Sequence, residues 1–341
     1  MNKNYGYFGA AIQAKQGTAA TAPGATFYAS DDSDGLDAAK EITSINLTKG
    51  SPVAVASYVD TIDPSFNVKT LAFPDLVGML LTAACGADTA TADASGNTYT
   101  HTIEIADGLP FMTIFEQKGS PDADIEVLED AKVDSLTITA EGNKPLGLDV
   151  TIKGCKEAYK NGTTSIGGTA FDIANGYFDL AGAEVLFSLA TDTPVAVPMG
   201  ITLSKIEVAI KNSVNAKRPM GSAVPNNQVE QGSVVSVTLE GETDSTEQYR
   251  EVMTGSKTGE EISSTVITGS VQIKFKHSNN DELSLTMRIP AIPWKCDPMG
   301  VSTDGGAFAL KLSTDGALDT GDGAASFVLV NKSAGYLPSG D

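Results

Sequence analysis

Cysteine is scarce in this chain and tryptophan scarcer, with three of the first and one of the second in 341 residues. Cys85, Cys155 and Cys296 are odd in number and form no C-x-x-C spacing. Neither a disulfide framework nor a thiolate metal site is therefore expected. Histidine occurs only at His101 and His277, each inside an alternating run, and each is read as lying on a wet strand face. Two isolated histidines leave Ser-His-Asp and Cys-His chemistry without a base set beside a nucleophile. No H-E-x-x-H, G-x-x-x-x-G-K or G-x-G-x-x-G motif is present, so the common metal, phosphate and dinucleotide sites have no anchor. Carboxylates are plentiful enough for a glycosidase pair, but the single Trp294 and 6% aromatics argue against a sugar-binding cleft. The expectation is a non-enzyme with no cofactor.

Positive charge is also short. Lys and Arg total 23 against 43 Asp and Glu, a formal net charge of −20. Such a surface repels nucleic-acid phosphates and anionic lipid. Long apolar runs are missing as well. The longest lies within FPDLVGMLLTAACGAD, Phe73–Asp88, and is too short for a bilayer, which takes roughly 20 residues. The opening MNKNYGYFGAAIQAKQG lacks the apolar core of a secretory signal, so synthesis in the cytosol and no membrane association are expected.

What the chain has in abundance is alternation of period two, the mark of a half-buried strand. In KVDSLTITAEG, Leu136 and Ile138 face one way and Ser135, Thr137 and Thr139 the other. GLDVTIKG aligns Leu148, Val150 and Ile152, and SKIEVAIKN aligns Ile206, Val208 and Ile210. SVQIKFKHSNNDELSLTMRIP reads as a hairpin: Val271, Ile273 and Phe275 alternate with polar residues, and after the turn Ser278–Asp281 the pattern resumes with Leu283, Leu285, Met287 and Ile289.

Two segments break this pattern as helices. Pro74 suits the opening turn of the first and Asp75 the positive end of its dipole. Leu76, Val77, Leu80, Leu81 and Ala84 make an apolar stripe, and Gly86 closes it. In TDSTEQYREVMTG, Thr243, Asp244 or Ser245 caps, Glu247 or Gln248 reaches back, Tyr249, Val252 and Met253 form the stripe, and Gly255 ends the helix. The order strands, helix, hairpin, strands occurs twice, with helix centres near residues 80 and 249. The expected division is a first domain at 1–160, a connector at 161–185 and a second domain at 186–341.

Ahead of each helix lies a long irregular stretch, LTKGSPVAVASYVDTIDPSF and SVNAKRPMGSAVPNNQVEQG. Such excursions rarely pack on their own domain and read as arms reaching a neighbour. The candidate contact residues on them are Lys49, Pro52, Tyr58, Asp63, Arg218, Pro219, Asn226 and Gln228. The best metal candidate is SDDSDGLDAAKE, where Asp32, Asp34 and Glu41 take calcium-loop positions three, five and twelve. Ser30 stands where the ion expects Asp and no helices flank the loop, so a solvated acidic turn is the preferred reading.

These signatures together resemble the tail tube proteins (major tail proteins) of long-tailed, siphovirus-like bacteriophages, of the tandem-domain kind. The resemblance rests on GYFGAAIQAKQGTAATAPGATFY, on FPDLVGMLLTAACG with YTHTIEIADGLPFMTIFEQKG, on KVDSLTITAEGNKPLGLDVTIKGC and on the closing FVLVNKSAGY. It implies a mainly β chain of two similar β-sandwich domains, each with a flanking helix and a long arm. It implies trimers that imitate a sixfold ring and stack into a hollow tube in the virion tail, assembled in the host cytoplasm. The implied partners are other copies of the chain, a tape measure protein, a tail terminator and a distal tail protein. Double-stranded DNA would pass through an acidic lumen without specific binding. The competing expectation is a non-catalytic two-domain β-sandwich adhesin or shell protein.

Overall fold

The computed structural model describes residues 6–28, 33–46, 54–118, 125–142, 144–160, 166, 176–190, 193–196, 201–299, 306–321 and 323–338. In chain order its first strands are β1 (Gly6–Ile12), β2 (Ala25–Phe27), β3 (Gly35–Asp37), β4 (Lys40–Ile45), β5 (Ala56–Ile62) and β6 (Ser65–Leu71). Helix α1 (Pro74–Cys85) follows, then β7 (Gly86–Ala92), β8 (Tyr99–Ile105), β9 (Met112–Lys118), β10 (Ile125–Glu141), β11 (Gly147–Lys153) and β12 (Lys156–Lys160). Next come β13 (Phe178–Ser188), β14 (Val195–Ala196), β15 (Ile201–Lys211), β16 (Asn215–Lys217), β17 (Asn227–Val229) and β18 (Val234–Thr243). Helix α2 (Glu247–Thr254) leads to β19 (Thr268–His277), β20 (Ser284–Pro293), β21 (Lys295–Cys296), β22 (Phe308–Ser313) and β23 (Ser326–Asn331). The chain is mainly β, with two helices among the described residues.

The alternating runs form the strands that their periodicity predicts. Leu136 pairs with Val150 and Ile138 with Leu148 across β10 and β11, and all four are buried while Thr137 and Thr139 are not. The 270–290 hairpin forms as expected, and its register sets Val271 opposite Ile289 and Phe275 opposite Leu285. Two large antiparallel sheets result. In one, eight strands run in the order β3-β6-β11-β10-β15-β18-β22-β21. Strand β10 also belongs, through its first residues, to a side branch of β2, β1, β9 and β12. The switch falls at a bulge between Leu128 and Ala131, where Asp130 adopts φ 51°; the extra residue re-aims the strand. The second sheet has the order β14-β13-β19-β20-β23-β8-β7.

Buried faces of both sheets feed one continuous core. Helix α1 starts and stops as expected, with Pro74 in its first turn and Gly86 closing it at φ 100°. It is more deeply seated than a flanking helix. Every residue from Leu76 to Cys85 is buried, because the helix packs on β10 of one sheet and on β7, β8 and β23 of the other. A helix apolar nearly all round belongs in an interior. Helix α2 does flank, burying only Gln248 and Val252; Ser245 Oγ accepts the Glu247 N–H at 3.1 Å, and Thr243 bonds Gln248. All three cysteines are free and buried, and burial pushes the Cys85 thiol up to about 12.

The connector expected at 161–185 ends earlier than expected, since β13 begins at Phe178 and pairs with β19 from the start. Both sheets also cross the expected domain boundary: β10 pairs with β15, and β23 lies between β20 and β8. Alternation reports which face of a strand is buried and carries no information about which strand lies beside it.

Candidate assembly interface

The first arm folds as a two-stranded ribbon, β4 against β5, with Ile42 opposite Val59 and Thr43 opposite Tyr58. Every residue of β4 is exposed, as are residues 56–60 of β5. The ribbon nonetheless carries large apolar side chains. Ile42 is 62% exposed and Tyr58 48%, and Ile45, Val55 and Val59 are exposed with them. An isolated two-stranded ribbon is marginal in water, and its exposed apolar side chains make it a candidate interaction surface. Side-chain bonds stiffen it, among them Thr61 Oγ1 donating to Glu41 Oε2 at 2.9 Å.

The second arm, β16 with β17, behaves differently and lies on its own chain. Gln228 is 2% exposed and donates from Nε2 to the Gly154 carbonyl at 2.6 Å. Gln16 donates to the Asn226 carbonyl at 2.9 Å. The reading of this whole stretch as a reaching arm is therefore corrected: Val214 and Gln228 are buried against the chain's own surface, while the tip around Met220 stands fully exposed. It also braces the base of the first arm, where Ile62 N–H donates to the Ala223 carbonyl at 3.0 Å and Arg218 forms an ion pair with Asp63. A polar cleft of about 460 Å³ lies here, lined by Asp63, Ser65, Lys153, Asn215, Arg218 and Gln228.

Of the candidate contact residues, Tyr58 stands exposed on the ribbon, while Asp63 and Arg218 are brought together at its base. Pro219 and Asn226 are exposed at the second arm, Gln228 is buried beneath it, and Lys49 and Pro52 lie outside the described residues. Of the calcium candidates, Asp32 lies outside the described residues. Asp34 is exposed just before β3, and Glu41 is committed to the Thr61 bond on β4. Among the described residues no three His, Cys, Asp or Glu side chains gather as a metal site.

Behind the second arm a buried Lys132 paired with a half-buried Glu230 ties the halves of the sequence together. Lys132 Nζ lies 2.6 Å from Glu230 Oε2 and 4.6 Å above the Phe111 ring, while Glu230 Oε1 accepts the Leu109 N–H at 3.2 Å. Partial burial would raise the Glu230 pKa; the Lys132 bond and charge and the backbone donors outweigh it and lower it.

The open face of the eight-strand sheet is a ladder of Thr and Ser crossed by matched charges. Lys205 sits 2.9 Å from Glu207 and Lys311 3.0 Å from Glu240, while Lys69 stands opposite Asp149. This face is charge-balanced, so the acidic excess lies elsewhere. The outermost strands are short: β3 covers three residues of β6, and β21 pairs with only two of β22. Beyond these short strands, most of the outer edges of β6 and β22 has no strand partner among the described residues.

One polar cluster escaped the sequence reading. His101 and His277, expected on wet faces, are both buried, and His101 is 0% exposed. His101 Nδ1 lies 3.0 Å from an Asp88 carboxylate oxygen and Nε2 2.9 Å from the Ser333 carbonyl, with the Tyr336 ring 4.9 Å away. His101 shares parity with Ile103 and Ile105, and His277 with Ile273 and Phe275; that shared parity was the available signal. No known protein family matches this sequence, and no curated protein matches it.

Proposed function

We propose that this chain is the structural subunit of a bacteriophage tail tube, polymerising as stacked trimeric rings of pseudo-sixfold symmetry into a hollow conduit for genome DNA. The observation that carries the reading is the order of the eight-strand sheet. Its first four strands, β3-β6-β11-β10, and its last four, β15-β18-β22-β21, are visited by the chain in the same sequence. In each set an arm lies between the first two strands, and a helix with a strand pair of the second sheet follows. The two sets meet head to tail at β10 and β15. A head-to-tail contact repeated between copies closes into a ring when its rotation permits, here with β21 and β22 of one copy beside β3 and β6 of the next. Closure removes the open edges, and the exposed β4–β5 ribbon would then contact the adjoining ring. Trimers make two tandem tube domains per chain imitate six.

On this reading the open face of that sheet is the tube wall, and a charge-balanced Thr- and Ser-rich lining replaces the acidic one that composition favours. Paired charges offer phosphates no net attraction, so DNA slides without sticking. The chain's partners would be its own copies, a tape measure protein, a tail terminator and a distal tail protein. Negative-stain imaging with a mass measurement on the smallest assembled unit tests the proposal. Threefold rings or tubes are expected. Monomers at every concentration would overturn it in favour of a two-domain surface or shell protein.

A further inference from the structure

We infer that the segment Asn331–Tyr336 is a releasable clasp, fastened over α1 by His101 acting as a buried cation between Asp88 and the Ser333 carbonyl. The inference concerns the single chain and stands whether or not the protein forms tubes.

The assignment follows from hydrogen-bond chemistry. Neutral imidazole has one N–H and one lone pair, whereas imidazolium has two N–H donors. Both ring nitrogens of His101 face groups that only accept, the Asp88 carboxylate at 3.0 and 3.1 Å and the Ser333 carbonyl at 2.9 Å. With Asp88 ionised, neutral histidine would leave one of these contacts with two lone pairs facing each other in a buried site. The doubly protonated ring satisfies both and is neutralised by Asp88, itself almost fully buried.

The groups that face the ring come from every neighbouring element. Strand β7 supplies Asp88, and α1 supplies Asp75, which accepts from Ser333 Oγ at 3.0 Å. The strand neighbours Ala90 and Leu329 are apolar. The clasp supplies Tyr336, whose N–H donates to Asp88 at 3.3 Å, and Asn331, which bonds the Pro74 carbonyl at 3.2 Å and the Tyr336 hydroxyl. Burial, followed by the charge of Asp75, raises the Tyr336 pKa, so the phenol stays neutral as His101 titrates. For His101, burial pushes the pKa down, and the Asp88 hydrogen bond and charge with the Ser333 carbonyl outweigh it and raise it.

The sign is then fixed. A raised histidine pKa stabilises the closed clasp fully below the unfolded value of about 6.5, and the contribution is lost as pH rises through the folded value. One proton changes the closing equilibrium by at most about tenfold per pH unit.

Two measurements on the full-length chain test this. Imidazole ¹⁵N spectra, assigned with His277→Asn, should show both His101 nitrogens still protonated above pH ~6.5. Hydrogen exchange over 331–338, corrected for intrinsic rate, should lose protection by up to about tenfold per pH unit through that titration and not before it. His101→Gln should weaken protection at low pH and flatten its pH profile. A His101 that titrates at or below the ordinary value, or exchange unchanged through its titration, would overturn the inference. If the variant fails to fold, the two wild-type readings still decide the matter.

Discussion

The ring of Tyr336 lies directly against Gly78 in the middle of α1, so close that a methyl group at Gly78 would fall inside the contact distance of the phenol hydroxyl and ring carbons. A glycine inside a buried helix costs about 1 kcal/mol of helix propensity relative to alanine. Here the missing side chain makes room for the clasp. Gly78→Ala is therefore expected to destabilise the fold by about 1–3 kcal/mol in spite of its better propensity, since overpacking outweighs the gain. Urea melts would show it, and the Gly78→Ala penalty should disappear when measured in a Tyr336→Ala background. A Gly78→Ala protein more stable than wild type would show that Tyr336 yields freely.

The Lys132–Glu230 pair gives a second expectation. Glu230→Gln leaves an uncompensated cation among Phe111 and the β10 core and should cost about 3 kcal/mol. Because the folded Glu230 pKa is lowered, its contribution is present above the unfolded value and declines as pH falls through the folded one. The gap between wild type and variant, measured by chemical denaturation, should narrow on acidification.

Glu116 should show the opposite trend. Burial raises its pKa, although the Leu36 N–H at 2.6 Å and Lys118 act against this. A raised carboxyl pKa adds stability at low pH that disappears as pH rises through the folded value. Glu116→Gln should remove that slope while keeping the acceptor for Leu36. An unchanged stability–pH profile in the variant would contradict the assignment.

The ribbon yields the assembly prediction. Ile42→Lys combined with Val59→Glu replaces two exposed apolar side chains that stand opposite each other, so monomer stability should change by under about 0.5 kcal/mol. If the ribbon joins adjoining rings, sedimentation of the variant should show isolated rings with no long tubes. Tubes of normal length would mean that the ribbon makes no stacking contact.

Much of this architecture could be read from letters alone. Pro74 and Gly86 bracket α1, and the inward sets Leu136/Ile138, Ile206/Val208/Ile210 and Val271/Ile273/Phe275 are all buried as their alternation requires. Pairing partners could not be read this way. Nothing in FVLVN specifies that Phe327 will lie opposite Ile103 instead of a neighbour in sequence, because long-range pairing depends on the shape of the whole core. The fate of the second arm was hidden for a similar reason: Gln228 reads as a loop residue until Gly154 is placed beneath it. Of the candidate interface, only the exposed first ribbon and the Asp63–Arg218 base were signalled by the long irregular stretches.

The position of β23 between β8 and β20 has a consequence for biosynthesis. The β7–β8 pair leaves the ribosome early, yet its outer edge has no mate until the stretch at 326–331 has been made. Until then the nascent chain holds an open hydrogen-bonding edge and an unsealed interior, a state prone to cross-association with other chains. Completion of the sandwich thus waits on late translation, and any premature stop before Ser326 would release a product that cannot seal itself.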